Sequence, residues 1–112
     1  MYRSHNCGEL RIKHVGLEVK LSGWIHKIRD KGSLIWIDLR DRYGITQIII
    51  DTNESSKNLV EQSKKVGREY VVSVTGSVKE RESKNPNIGT GDVEITLTEI
   101  EILNKSKVPP FT

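Results

Sequence analysis

The period-two spacing of apolar residues is the feature that most narrows what this chain can become. Successive side chains of a strand point to opposite faces, so a run that is apolar at every second position has one face to bury. Residues 18–29 begin this way, with Val19, Leu21 and Ile25 in one parity and Gly23 between them. A glycine inside a strand marks a bulge or a tight bend, which a small barrel needs in a long first strand. Residues 33–40 put Ile35, Ile37 and Leu39 on one face and Leu34, Trp36 and Asp38 on the other. Asp30-Lys31-Gly32 reads as the hairpin turn joining these two runs. After a turn at Arg42-Tyr43-Gly44, residues 45–51 set Thr46, Ile48 and Ile50 against Ile45, Gln47 and Ile49.

The alternation then stops. Asp51-Thr52-Asn53-Glu54-Ser55 is rich in helix-capping residues and predicts a short helix over 56–66, with Leu59, Val60 and Val66 as its thin apolar face and Gly67 closing it. A fourth strand is expected over 70–79, with Val72, Val74, Gly76 and Val78 in one parity. A fifth, 93–103, has Val93, Ile95 and Leu97 inward, but Ile100 and Ile102 are out of step, which calls for a bulge near Thr98-Glu99. The loop between these strands, residues 79–92, is polar and long for a hairpin, and loops of that size are often functional. Three strands, a helix and two strands, with a bent first strand, is the order of an OB fold. The expected class is therefore an all-β, five-stranded Greek-key OB barrel with a short helix between strands three and four. An SH3-like barrel has no helix at that place. OB folds bind oligonucleotides on the face of strands two and three.

A length of 112 residues suits one domain, and an apolar fraction of 35% suits a small barrel with much wetted surface. The expected domain is 1–104, with 105–112, which contains Pro109-Pro110, as a semi-rigid linker. The lone Cys7 rules out an internal disulfide. There is no apolar run of the roughly 20 residues that would span a bilayer and no signal-peptide core, so a cytoplasmic location with no membrane partner is the default expectation. The net charge is +3, and the first 42 residues hold nine Lys/Arg against five Asp/Glu, whereas 92–101 is acidic. Such local basic charge suits a partner that presents phosphates; it equally suits a mixed solvated surface.

No catalytic constellation is visible, and His5, His14 and His26 lack metal-ligand spacing. Parity instead points to a binding face. Trp36 opposes Ile35 and Ile37, and Gln47 opposes Ile48 and Ile50, so both face outward if the isoleucines fill the barrel. An exposed indole can stack on a base, and an exposed amide can read a base edge. Lys27, Arg29, Lys79 and Arg81 would add positive charge, Asn85 and Asn87 in the long loop could hydrogen-bond bases, and Ile49 could pack under a stacked base. The plainer alternative packs Trp36 under the helix or the N-terminal segment and leaves the charges as ordinary surface residues.

The segment CGELRIKHVGLEVKLSGWIHKIRDKGSLIWIDLRDRYGITQIIID, continued by Val74-Thr75-Gly76, Lys79, Arg81, Asn85, Asn87, Thr90-Gly91 and Glu94, resembles the N-terminal anticodon-binding domain of bacterial-type aspartyl-tRNA synthetases. Lysyl and asparaginyl enzymes share the fold and resemble this spacing less closely. The resemblance implies that the domain binds the anticodon loop of aspartate tRNA and splays out its bases. Trp36 stands where the family carries an aromatic ring, usually Phe, that stacks on the middle base. Arg29, Gln47, Arg81, Asn85 and Glu94 match polar positions that contact the bases or the adjoining backbone. Lys27 and Lys79 replace a common arginine, keeping the charge but not the planar fork, and Ile49 replaces a frequent aromatic. The resemblance further implies that this segment has no catalytic residues and no cofactor of its own. A class II catalytic domain beyond the linker would use ATP and magnesium to join aspartate to tRNA. Full-length enzymes of the family are homodimers, largely through that domain, which leaves a monomer open for this part alone. A general single-strand-binding OB domain and a domain that only positions a protein partner are the competing readings.

Overall fold

A computed structural model describes residues 3–105, so all but the first residue of the expected 105–112 linker lies outside the described residues. Five strands close into one barrel: β1 (Glu18–Asp30), β2 (Leu34–Asp41), β3 (Gly44–Asp51), β4 (Val71–Glu80) and β5 (Val93–Asn104), in the spatial order β1-β2-β3-β5-β4. The helix α1 (Lys57–Lys64) lies between β3 and β4 in sequence and packs against β5. The OB-fold expectation holds, with each strand within a residue or two of its anticipated ends.

The strand faces follow the apolar alternation. Val19, Leu21, Ile25, Ile35, Ile37, Leu39, Ile48, Ile50, Val72, Val74, Val78, Val93, Ile95 and Leu97 are all buried in a single core. β1 serves two partners: its first half pairs with β4 from Glu18 to Trp24, and its second half pairs with β2 from Trp24 to Asp30. The bulge expected at Gly23 lies elsewhere in this strand. Ile25 pairs with Leu39 and Lys27 with Asp38, so His26 is the extra residue. Gly23 is required for a different reason, because a Cβ there would stand 2.4 Å from the Arg40 carbonyl oxygen. In β5 the bulge falls where the parity shift placed it. Thr75 pairs with Glu99 and Gly76 with Leu97, leaving Thr98 unpaired and turning Ile100 back into the core.

The helix is shorter than expected. Ser56 Oγ accepts from the Leu59 backbone N–H at 3.1 Å and caps it. Its buried residues are Leu59 and Ser63, with Val60 only half-buried and Val66 buried beyond the helix end. Gly67 is not a left-handed terminator; in this connection Glu69 is the residue with positive φ, +72°.

The N-terminal segment is fastened by the β2–β3 turn. Asp41 Oδ1 accepts from the backbone N–H groups of Tyr43 (2.8 Å) and Gly44 (3.1 Å), and Oδ2 accepts from the Cys7 N–H (2.8 Å) and Arg3 Nη1 (3.2 Å). Thr46 Oγ1 donates to the Cys7 carbonyl at 2.7 Å. Cys7 and Leu10 are thereby drawn completely out of solvent. Burial, then the charge and hydrogen bonding of Asp41, push the Cys7 thiol far above its ordinary value of 9.0.

Gly23→Ala should destabilise the barrel by about 1–3 kcal/mol in urea titrations, through overpacking against fixed backbone. Ser22→Ala next to it should be neutral or slightly stabilising, because Ser22 Oγ is buried without a hydrogen-bond partner. Above pH 9.0 the unfolded thiol ionises while the folded one keeps its proton, so the unfolded state gains and stability falls as pH rises. The decline should be shallower in Cys7→Ala, and in the native protein a thiol reagent should label Cys7 only on unfolding.

Candidate nucleic-acid interface

The outer face of the barrel is built in rows that run across the strands. One row is Arg29 (β1), Trp36 (β2), Ile49 (β3) and Thr96 (β5). The next is Lys27, Asp38, Gln47, Glu94 and Lys79, from β1, β2, β3, β5 and β4. The His26 bulge makes the β1 members possible. Without it Lys27 and Arg29 would share the inward parity of Ile25; with it, Ile28 turns toward the core and the two cations turn out.

These rows carry a connected polar chain. Arg29 Nη2 donates to Gln47 Oε1 at 3.3 Å, and Gln47 Nε2 donates to Glu94 Oε1 at 2.7 Å. Lys79 Nζ lies 3.5 Å from Glu94 Oε2. The carboxylate can only accept, which fixes which end of the Gln47 amide faces it. Gln47 and Glu94 are each only 6% exposed, so the amide is not the open group that its outward parity suggested. Neighbouring side chains on three strands cover it. The Arg29 guanidinium also lies 5.3 Å from the Trp36 ring centroid, in cation–π range. Trp36 is half-buried beside Arg29 and a cavity, and is not packed under the helix.

That cavity measures about 490 Å³. Among the anticipated residues, Arg29, Trp36, Gln47, Ile49, Lys79, Arg81 and Glu94 line it together. Three do not. Lys27 is exposed two residues before Arg29 on β1, opposite Asp38. Asn85 and Asn87 shape their own loop: Asn85 Oδ1 accepts from the Asn87 N–H at 3.0 Å, and the Asn85 N–H donates to the Gly91 carbonyl at 2.9 Å. Leu34, Asp51, Thr96 and the loop residues Glu82 and Ser83 complete the wall and were not singled out in the sequence, although the first three have outward parity. Arg81 Nε is buried with no hydrogen-bond partner, a donor left over at the cavity edge. Among the described residues no group of three or more His, Cys, Asp or Glu could hold a metal ion, and no helix is long and apolar enough to cross a membrane.

A barrel of this topology, with an indole and charges of both signs on its outer face, has relatives among known proteins. Residues 19–103 match the family described as OB-fold nucleic acid binding domain. The chain belongs to this family. Over all 112 residues this OB-fold domain is 57% identical to part of an aspartate–tRNA ligase of Flavobacterium psychrophilum, of which it covers 19%. The domain thus spans about a fifth of the length of the curated relatives it matches. Its fold is similar to part of an asparaginyl-tRNA synthetase from Pyrococcus horikoshii, with TM-score 0.79 and 30% identity over 97% of this chain and 24% of that one. It is also similar to an OBody bound to hen egg-white lysozyme, with TM-score 0.84 and 28% identity over 95% of this chain and 97% of that one.

The buried chain makes a stability prediction. Glu94→Ala removes the acceptor of a buried amide and should cost about 1–3 kcal/mol by chemical denaturation. Glu94→Gln keeps an oxygen to accept from Gln47 Nε2 and should cost less.

Proposed function

We propose that this domain reads the anticodon of aspartate tRNA on behalf of an aspartate–tRNA ligase. The observation that carries the reading is the cavity on β2, β3 and β5, where an indole and a prealigned amide–carboxylate pair stand together beside Arg29, Lys79 and Arg81. In this reading the middle base stacks on Trp36, with Ile49 packing beneath it. The Gln47 amide and the Glu94 carboxylate meet the edges of neighbouring bases; a carboxylate accepts from a base amino group. Arg29, already on the Trp36 ring, swings to phosphate or base as the loop enters. Arg81 Nε, buried without a partner, gains an acceptor. Lys27 and Lys79 supply charge at the sides, and Asn85 and Asn87 approach from the loop rim. The same reading gives the full ligase ATP, magnesium and aspartate at a separate class II catalytic domain, a cytoplasmic location and a homodimeric state.

The test is a titration of tryptophan fluorescence with an anticodon stem-loop of aspartate tRNA, alongside a stem-loop whose middle U is changed. The cognate loop should quench emission and the altered loop should bind more weakly. Trp36→Ala should lose about 1–3 kcal/mol of binding, the usual contribution of one stacked base. Equal affinity for both loops would replace anticodon reading with general single-strand binding. Absence of binding at low salt would leave a protein-positioning role.

A further inference from the structure

A second cavity, about 460 Å³, opens at the turn end of the β2–β3 hairpin. Arg11, Arg40 and Arg42 supply its charge, and Tyr43, Ile45 and Ile88 are among its apolar walls. Among the described residues the only acid lining it, Asp41, is already engaged by four donors: the N–H groups of Cys7, Tyr43 and Gly44, and Arg3 Nη1. Arg11 is held in place, with Nη1 donating to the carbonyls of Gly8 and Leu10, both at 2.9 Å. Arg40 and Arg42 are exposed, and their side chains have no hydrogen bond or ion pair among the described residues. The cavity therefore has a surplus of guanidinium groups, one fixed and two free to adjust, and no acid available to neutralise them. Planar guanidinium forks match phosphate oxygens in pairs.

Its position matters as much as its charge. Arg40 shares the outward parity of Trp36 and stands four residues further along β2, about 13 Å at the rise of a strand. Ile45 precedes Gln47 by two residues on β3. The loop after β4 reaches both places, with Arg81 at the first cavity and Ile88–Thr90 at the second. Between them on β2 lies Asp38, paired across the ladder with Lys27, so the intervening surface is balanced in charge. The same two strands, β2 and β3, therefore link the Trp36 cavity to the arginines.

We propose that this second cavity holds the sugar-phosphate backbone of nucleotides flanking the anticodon bases, as a clamp that is indifferent to sequence. The clamp rests on the anticodon reading for its ligand, but its chemistry needs only phosphates. It fixes the register of the loop while the first cavity reads the bases.

The experiment uses two labelled probes, the cognate anticodon stem-loop and a short abasic oligonucleotide that carries phosphates without bases, each titrated by anisotropy at several salt concentrations. Combining Arg40→Gln with Arg42→Gln should weaken both probes about tenfold and flatten the salt dependence by about 0.7 in log–log slope for each phosphate released. The preference for the cognate loop over one with a changed middle base should persist. Trp36→Ala should leave abasic binding as it was. The clamp is overturned if the double variant binds both probes with wild-type affinity and slope, if the arginines prove to govern discrimination between loops, or if the wild type does not bind the abasic probe at low salt. Failure of anticodon reading shows separately, as equal affinity of the wild type for cognate and changed loops.

Discussion

Three parallel residue pairs hold this molecule in its working form. β3 and β5 meet only over Gln47–Glu94, Ile48–Ile95 and Ile49–Thr96, and without that contact the sheet would remain open. The same pairs carry the core and the site in alternation. Ile48 and Ile95 point inward and are fully buried, whereas Gln47 with Glu94, and Ile49 with Thr96, point outward. Closing the barrel and building the cavity are therefore one event. A strand contact so brief leans on the apolar packing behind it, which ties the geometry of the cavity to the integrity of the core.

The polar chain through Gln47 and Glu94 shows how a small barrel aims side chains without a large interior. Long polar side chains on a sheet surface normally sample many rotamers. Here the amide and the carboxylate are bonded to each other, and cations stand at both ends of the chain. Because the network is satisfied, burial does not leave an unpaired donor or charge within it. Rotational freedom has been given up before any ligand arrives, so less remains to be lost on binding. The Trp36 wall is of a different kind. Its neighbours across the strands are Arg29 and Ile49, one a mobile cation and the other a stiff branched side chain.

Much of this was legible in the residues. Strand alternation identified the inward isoleucines, and the same arithmetic placed Trp36 and Gln47 outside, while Glu94 entered only through the family resemblance. The parity break after Leu97 located the Thr98 bulge, because apolar residues stood on both sides of it. The His26 bulge left no such mark. Ile25 and Ile28 are compatible with either an insertion or a fading pattern, and Gly23 drew attention for what proved to be a close backbone approach. The parallel contact of β3 with β5 joins residues 47 positions apart and has no local signature, so the covering of Gln47 by Glu94 could not be read from the sequence. Asn85 and Asn87 were read as base contacts, and here one serves the turn of the other. Arg40 and Arg42 were noticed only as parts of a motif, since their meeting with Arg11 depends on Asp41 drawing the N-terminal segment onto the hairpin.

The extra residue at His26 gives the first strand an unusual kind of fragility. Everything downstream of it in β1 owes its facing to a count of residues, not to their chemistry. Flattening the bulge with every residue kept would carry Lys27 and Arg29 toward the oily interior and turn Ile28 out to water, whereas losing His26 itself would restore a regular ladder with all three facing as they do now. The facing depends on the slip in the ladder, and a slip is either present or absent. A lineage can keep this binding face by holding the bulge or by shedding the residue it accommodates, but not by straightening the strand at its present length.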